Sequence, residues 1–254
     1  LKKLLVSLMR ATGLANLPVR SRKGLIAGAR WTLYPFSSYW RGITDRESIA
    51  WVDRFCRPGG AALDLGAHFG LFTVAMAQRV GPTGQVVSLE PDDEARAKCL
   101  RHVRMNHLDQ VRVFPHAASS FNGTLSLVSD GGAGSSTSFV TSDAEKGAAT
   151  PCVRLDDLYA AEGLRPPQFI KVDVENHGAE ALSGAHALLS AGPGILMSIH
   201  SEEELAGTRA ILEALGYHAF SLSGERVAWE RALYTTSILS PLEDPSLVGA
   251  QGQG

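Results

Sequence analysis

Asp64-Leu65-Gly66-Ala67-His68-Phe69-Gly70 places a carboxylate and two glycines at the end of a short apolar run. Such a segment reads as a buried strand, a turn whose backbone approaches a ligand closely, and the opening of a helix through Leu71 to Ala75. A dinucleotide fingerprint needs glycines at the first, third and sixth positions of that turn to admit a pyrophosphate. Counted from Gly66, the third and sixth positions are His68 and Leu71. Two large side chains therefore stand where a diphosphate would lie, which makes an NAD-linked oxidoreductase the second reading and not the first. Beyond Gly70, Glu90 closes the next apolar run, residues 85–89. A carboxylate there can accept hydrogen bonds from both ribose hydroxyls, a demand common to several nucleotide cofactors.

A second chemical segment is Phe169-Ile170-Lys171-Val172-Asp173-Val174-Glu175-Asn176-His177. Period-two alternation along it puts Ile170, Val172 and Val174 on one face and Lys171, Asp173 and Glu175 on the other. Close carboxylates repel, so one pKa is expected to rise unless Lys171 or a cation offsets it. Such a pair can deprotonate or hold a hydroxyl, or coordinate magnesium. Asp173, Glu175, His177 and His200 have hard-ligand chemistry, but their spacing fits no fixed metal motif. The reading is therefore metal-free, with Asp173 and Glu175 as the place magnesium would use. His200, at the end of another apolar run, ranks first as general base, followed by Asp173 and His68. His177 reads as a loop residue beside the substrate.

Alternating elements must position these groups. The spacing predicts an amphipathic helix over 1–12 ended by Gly13, a helix over 45–56, and strands over 61–65, 85–89 and 111–114. Between Glu90 and the third of these strands, a helix opened by Asp92-Asp93 buries Ala95, Cys99, Val103 and His107. Asn122-Gly123 signals a hairpin inside a β insertion spanning 119–150. Later elements are a strand over 168–174, a helix over 179–190 and a strand over 194–200. Ser201 and Glu204 then form a capping box for the next helix. Strands over 217–222 and 232–239 close the sheet. This order predicts a doubly wound, mostly parallel α/β sheet with ligands at the carboxyl ends of its strands, where Asp64, Glu90, His116, Asp173 and His200 fall.

At 254 residues and 44% hydrophobic composition, the chain can bury one substantial core. The expected organisation is a helical, aromatic-rich extension over 1–44, a catalytic domain over 45–240 and a flexible tail over 241–254. Eight basic and no acidic residues precede Asp45, which leaves the remainder at −10 within a net charge of −2. Such a basic head suits an acidic carrier protein, while the overall charge excludes wrapping of nucleic acid. Cys56, Cys99 and Cys152 form no pair with disulfide or zinc spacing. The first apolar run is interrupted too early to span a membrane and lacks a cleavage site, so a cytoplasmic protein is expected.

Leu63-Asp64-Leu65-Gly66-Ala67-His68-Phe69-Gly70, Glu90-Pro91, Leu155-Asp156-Asp157-Leu158 and Ile170-Lys171-Val172-Asp173-Val174-Glu175, in this order, resemble the FkbM family of methyltransferases over about residues 45–200. The resemblance implies a Rossmann-like class I fold and transfer of a methyl group from S-adenosylmethionine to a hydroxyl of a sugar, polyketide or other natural product. It implies a cofactor site at Asp64, Gly66, Ala67, Gly70 and Glu90, with Ala117 and Ser136 beside it. Two departures stand out. The family commonly continues Glu-Gly-x-Glu where this chain has Glu175-Asn176-His177-Gly178, and commonly has Asn or a small polar residue at the position of His68. A noncatalytic module that keeps the fold while this loop erodes is the remaining alternative.

Overall fold

The computed structural model describes residues 8–9, 11–33, 39, 41–129, 138–141 and 147–245, with the backbone alone at 15, 129 and 138–141. Among the described residues, 8–9 and 11 are helical and Leu14–Asn16 form a 3-10 turn; then come an antiparallel pair, β1 (Pro18–Arg20) and β2 (Arg30–Thr32), and α1 (Ile49–Phe55). Next come β3 (Ala61–Leu65), α2 (Leu71–Val80), β4 (Gln85–Leu89), α3 (Asp93–Met105) and β5 (Val111–Phe114). A small sheet follows: β6 (Ala117–Ala118), β7 (Gly123–Ser129), β8 (Ser138–Thr141) and β9 (Ala148–Val153). The chain continues through α4 (Leu155–Glu162), β10 (Phe169–Val172), α5 (Gly178–Ser183), α6 (His186–Ser190), β11 (Gly194–Ser198) and α7 (Glu202–Ala214). It ends its regular structure with β12 (His218–Phe220), β13 (Arg226–Val227) and β14 (Thr236–Ser240).

The main sheet has the order β13-β12-β14-β11-β10-β3-β4-β5. Its strands from β11 to β5 run parallel, and β14 and β12 add antiparallel at one side. This is the doubly wound Rossmann-like arrangement. The chain leaves β3 in one direction through β4 and β5, and returns on its other side through β10 and β11. The β3–β10 boundary is thus the switch point at which strand-end loops diverge and leave a crevice.

Both faces of the central strands are covered, which is why they read as continuous apolar runs. Ala62 faces a core built with α1, α2, α3 and the residues Leu25, Ile26 and Trp31. Leu63 and Leu65 face the other core, with Leu158, Leu182 and Leu212.

Several expectations are corrected. The 45–56 helix contracts to α1, because residues 45–48 form turns. His107 lies beyond α3, exposed and with φ 53°, while His102 is the buried histidine of that helix. Asn122-Gly123 is no hairpin turn: it links β6 to β7, which are separated by β9 in the sheet order β6-β9-β7-β8. Asn122 instead binds the Asp157 side chain and the Arg154 N–H. The helix over 179–190 is broken into α5 and α6 at Gly184, where a Cβ would stand 2.0 Å from the Ser119 carbonyl oxygen. The strand over 168–174 stops at Val172, since Glu175 and Asn176 both have positive φ. Of the helix over 1–12, residues 1–7 and 10 lie outside the described residues, as do Ser136 and the tail from 246 onward.

Candidate active site

The strand-end loops of β3, β4, β5 and β10 enclose a cavity whose wall includes Gly66, Ala67, His68, Glu90, Ala117 and Asp173. Tyr39 and Asp45 reach the same wall from the N-terminal segment. Gly66 turns the chain with φ 73°, and a Cβ there would lie 2.0 Å from the Asp173 carbonyl oxygen. Only glycine lets the β3 and β10 loops meet so closely.

Glu90 is buried at the tip of β4. Its Oε2 accepts the His68 backbone N–H at 2.6 Å and its Oε1 accepts the Asp92 N–H at 2.9 Å. Burial pushes its carboxyl up to about 7 against the lowering effect of those two bonds. A carboxylate oxygen keeps a second lone pair, so each can still accept a ribose hydroxyl. The His68 N–H that would greet a phosphate is turned onto this carboxylate. The donor set therefore fits a nucleoside with a phosphate-free tail better than a dinucleotide.

Asp64 is fully buried beneath the turn and off the cavity wall. Its Oδ2 accepts the Thr73 hydroxyl at 2.6 Å, and its Oδ1 lies 3.5 Å from the Lys171 ammonium. Lys171 donates to the Gly66 carbonyl at 2.8 Å and stands 3.7 Å from Asp173 Oδ2. Burial alone would lower the Lys171 pKa, but Asp64, Asp173 and Glu90 outweigh it and raise it. This cation, which the sequence marks only as a charge offset, ties the glycine turn to the acidic loop. Gly70 is also off the wall. With φ 87°, it opens α2, and its missing Cβ would meet Cys99 Sγ at 2.7 Å. Its glycine serves helix packing.

The acidic end of the cavity gathers Asp173, Glu175 and His200, in keeping with their strand-end positions. His200 Nε2 lies 3.2 Å from Asp173 Oδ1, and its Nδ1 lies 3.8 Å from Glu175 Oε2. One donor atom from each of these residues lies within 4.8 Å of the others, so His200 stands within ligand range of the two acids. His200 stands behind the two carboxylates and not on the wall itself. The Asp173 hydrogen bond raises its pKa, helped by Glu175. Burial would raise Asp173, but Lys171 and His200 prevail and hold it at about 2. Burial raises Glu175. His177 lines the cavity but turns its ring to Ser119 Oγ at 3.2 Å and Glu180 at 3.7 Å, away from the trio.

His68, with φ 50°, stacks on Phe69 at 3.7 Å, and its Nδ1 lies 3.4 Å from the Tyr39 hydroxyl. Burial, then Lys171, lowers its pKa to about 4, so the ring is neutral near pH 7. Its Nε2 is buried with no hydrogen-bond partner among the described residues. Sequence reasoning misses Asp45 as a wall residue; Tyr39 belongs to the aromatic-rich extension, where the sequence offers Trp31, Tyr34, Phe36, Tyr39 and Trp40 as ring faces that could wall a sugar or pack onto the body.

A family model described as a methyltransferase FkbM domain matches residues 64–219. Among solved structures, the chain is similar to an FkbM methyltransferase from Methylobacillus flagellatus KT, with TM-score 0.49 and 18% identity over 71% of this chain and 43% of that one. It is similar to a putative rRNA-methylase from Clostridium thermocellum, with TM-score 0.47 and 17% identity over 75% and 89% of the two chains. A third is fibrillarin from Aeropyrum pernix in complex with natively bound S-adenosyl-L-methionine, with TM-score 0.46 and 15% identity over 73% and 67%. The chain thus spans less than half the length of the Methylobacillus protein. A search of curated proteins finds no match.

Proposed function

The chain belongs to the FkbM methyltransferase family, and from that premise we propose that it moves the methyl group of S-adenosylmethionine to a hydroxyl oxygen of a small molecule, such as a sugar or polyketide. The observation that carries the reading is one cavity whose wall holds Gly66, Ala67, His68 and Glu90 together with Asp173 and Glu175. When bound, S-adenosylmethionine supplies a sulfonium methyl that is already activated.

In this reading, Glu90 holds the ribose and the Gly66-Ala67 backbone receives the amino acid tail. Ala117 borders the base, and Ser136 keeps the role that the family resemblance gives it. Asp64 and Gly70 act from below the wall, through Lys171 and through the start of α2. Asp173 orients the acceptor hydroxyl. The released proton rests on the Asp173 Oδ1–His200 Nε2 pair, while Glu175 holds the other side of the ring. His68, neutral, meets the acceptor beside Tyr39, and His177 closes the loop behind them.

Positioning is worth as much as ~7–11 kcal/mol, whereas acid–base help contributes ~10²–10⁴ in rate. Loss of His200 is therefore expected to slow transfer without abolishing it. The test is titration calorimetry with S-adenosylhomocysteine, followed by mass spectrometry of pooled sugars and aglycones given cofactor with a deuterated methyl group. Saturable binding and a labelled methyl ether are expected. No binding at millimolar cofactor, or a label on nitrogen or carbon alone, overturns the reading; binding without any turnover favours the noncatalytic module.

A further inference from the structure

Glu204 lies in the first turn of α7, is 3% exposed and takes no part in the cavity wall. The sequence predicts a capping box in which Ser201 and Glu204 satisfy each other's backbone. Half of it forms: Ser201 Oγ accepts the Glu204 N–H at 3.2 Å. The Glu204 carboxylate goes elsewhere. Its Oε2 accepts the His200 backbone N–H at 2.7 Å, and its Oε1 accepts the Gly178 N–H at 2.8 Å.

The space for this comes from Gly178. A Cβ at that position would stand 2.6 Å from Glu204 Oε1 and 2.4 Å from the Met197 Cε methyl. Position 178 is also where this chain has glycine in place of the second glutamate of the Glu-Gly-x-Glu pattern. One buried carboxylate therefore joins the chain just past β11, which carries His200, to the start of α5, which closes the loop bearing Asp173 and Glu175. The His200 contacts to Asp173 and Glu175 both cross between these two segments.

We infer that Glu204 is a positioning residue for the acceptor side of the site: seated where a side chain at 178 would lie, its carboxylate fixes the His200 segment against the Asp173–Gly178 loop. A carboxylate shared by two backbone N–H groups, one buried and one part-buried, is among the stronger hydrogen-bonding arrangements, and leaving such donors unpaired is costly. The inference rests on the reading of Asp173, Glu175 and His200 as acceptor machinery, but the two bonds can be measured without cofactor or acceptor.

The experiment is amide hydrogen exchange on the whole chain, read by NMR, in the unmodified protein and in Glu204→Gln, Gly178→Ala and Ser201→Ala. In the unmodified protein, the His200 and Gly178 amides are expected to exchange slowly for loop positions. Glu204→Gln, which keeps the volume, should accelerate both by about 10- to 100-fold and shift the His200 ring nitrogen resonances. Gly178→Ala, which pushes a methyl into the carboxylate's seat, should release the same two amides. Ser201→Ala, which removes only the cap, should leave the His200 ring signals in place. Fast exchange of both amides in the unmodified protein overturns the inference, even if a variant fails to fold. So do unchanged exchange and ring signals in a folded Glu204→Gln protein. Absence of S-adenosylhomocysteine binding would instead sink the proposed function while leaving these amide measurements intact.

Discussion

Glu90 joins two demands that pull in opposite directions. Its burial favours the protonated acid, with a pKa pushed up to about 7, while the role proposed for it, accepting hydrogen bonds from ribose, works best ionised. The two backbone N–H groups on its oxygens reward the ionised form as well. S-adenosylhomocysteine affinity should therefore climb as pH rises from 6 to 8. Glu90→Gln should weaken binding by about 10- to 100-fold and flatten that dependence, because a charge-assisted pair is worth ~1.5–3 kcal/mol. Calorimetry at three pH values checks both; an equally steep dependence in the variant would place the titrating group elsewhere. Gly66 poses a steric version of the same test. With φ 73° and the Asp173 carbonyl oxygen 2.0 Å from where a Cβ would stand, Gly66→Ala must part the two loops. A left-handed non-glycine residue alone costs ~1–3 kcal/mol. A lower melting temperature and cofactor affinity reduced at least about tenfold are expected.

At the scale of elements, the strands β3, β4 and β10 are legible in the sequence because burial on both faces makes each a bare apolar run bounded by turns. The convergence of Asp173 and His200 follows from placing both at strand ends. What stays hidden depends on distant partners. Asn122-Gly123 has the composition of a tight turn, yet the strand after it pairs with β9, some 25 residues on in the chain. The break at Gly184 is imposed by Ser119, and Glu204 passes over its local cap for Gly178, 26 residues away. His102 escapes notice because the four-residue spacing of Ala95, Cys99 and Val103 carries the inner face of α3 on to His107 and passes it by. It is in fact a strut: Nδ1 meets the Phe69 carbonyl at 2.7 Å, Nε2 takes the Thr32 N–H at 3.2 Å, and the ring stacks on Trp31 at 3.6 Å. It thereby braces β2 against the loop that opens α2.

Burial lowers the His102 pKa from 6.5 to about 4, so the folded state holds it neutral. The unfolded chain binds this proton first as pH falls. The stabilisation is therefore fully present above pH 6.5 and is lost as pH drops toward 4, by up to about 3 kcal/mol. His68 adds a loss of the same sign. Glu90, with its raised pKa, acts in reverse and relieves the folded state between about pH 7 and its ordinary value of 4.5. The difference between the native protein and His102→Gln isolates the strut. Urea unfolding should show a gap between them that narrows from pH 7 to pH 4.5; a gap independent of pH would mean that the ring serves by packing alone.

The whole molecule makes the N-terminal segment part of the core that holds the site. Leu25, Ile26, Ala29 and Trp31 are buried with α1, α2 and α3, and the Arg79 guanidinium binds the Leu25 carbonyl at 2.8 Å. Tyr39 then stands edge-on to Trp31, His68 and Phe69 and closes one side of the cavity. Burying a large apolar side chain is worth ~1.5–3 kcal/mol, so three such residues approach the ~5–15 kcal/mol that holds a domain together. A chain beginning at residue 45 would lose those contacts and expose the faces of α2 and α3 beneath them. It is expected to lose the cooperative thermal transition and S-adenosylhomocysteine binding together, as seen by near-ultraviolet circular dichroism and calorimetry. A chain beginning at residue 18 keeps β1, β2 and the Trp31–His102 stack, and should retain both. If the shorter chain melted cooperatively and bound cofactor like the full one, residues 18–44 would be a cover laid over a self-sufficient domain, and substrate recognition by Tyr39 would be their remaining role.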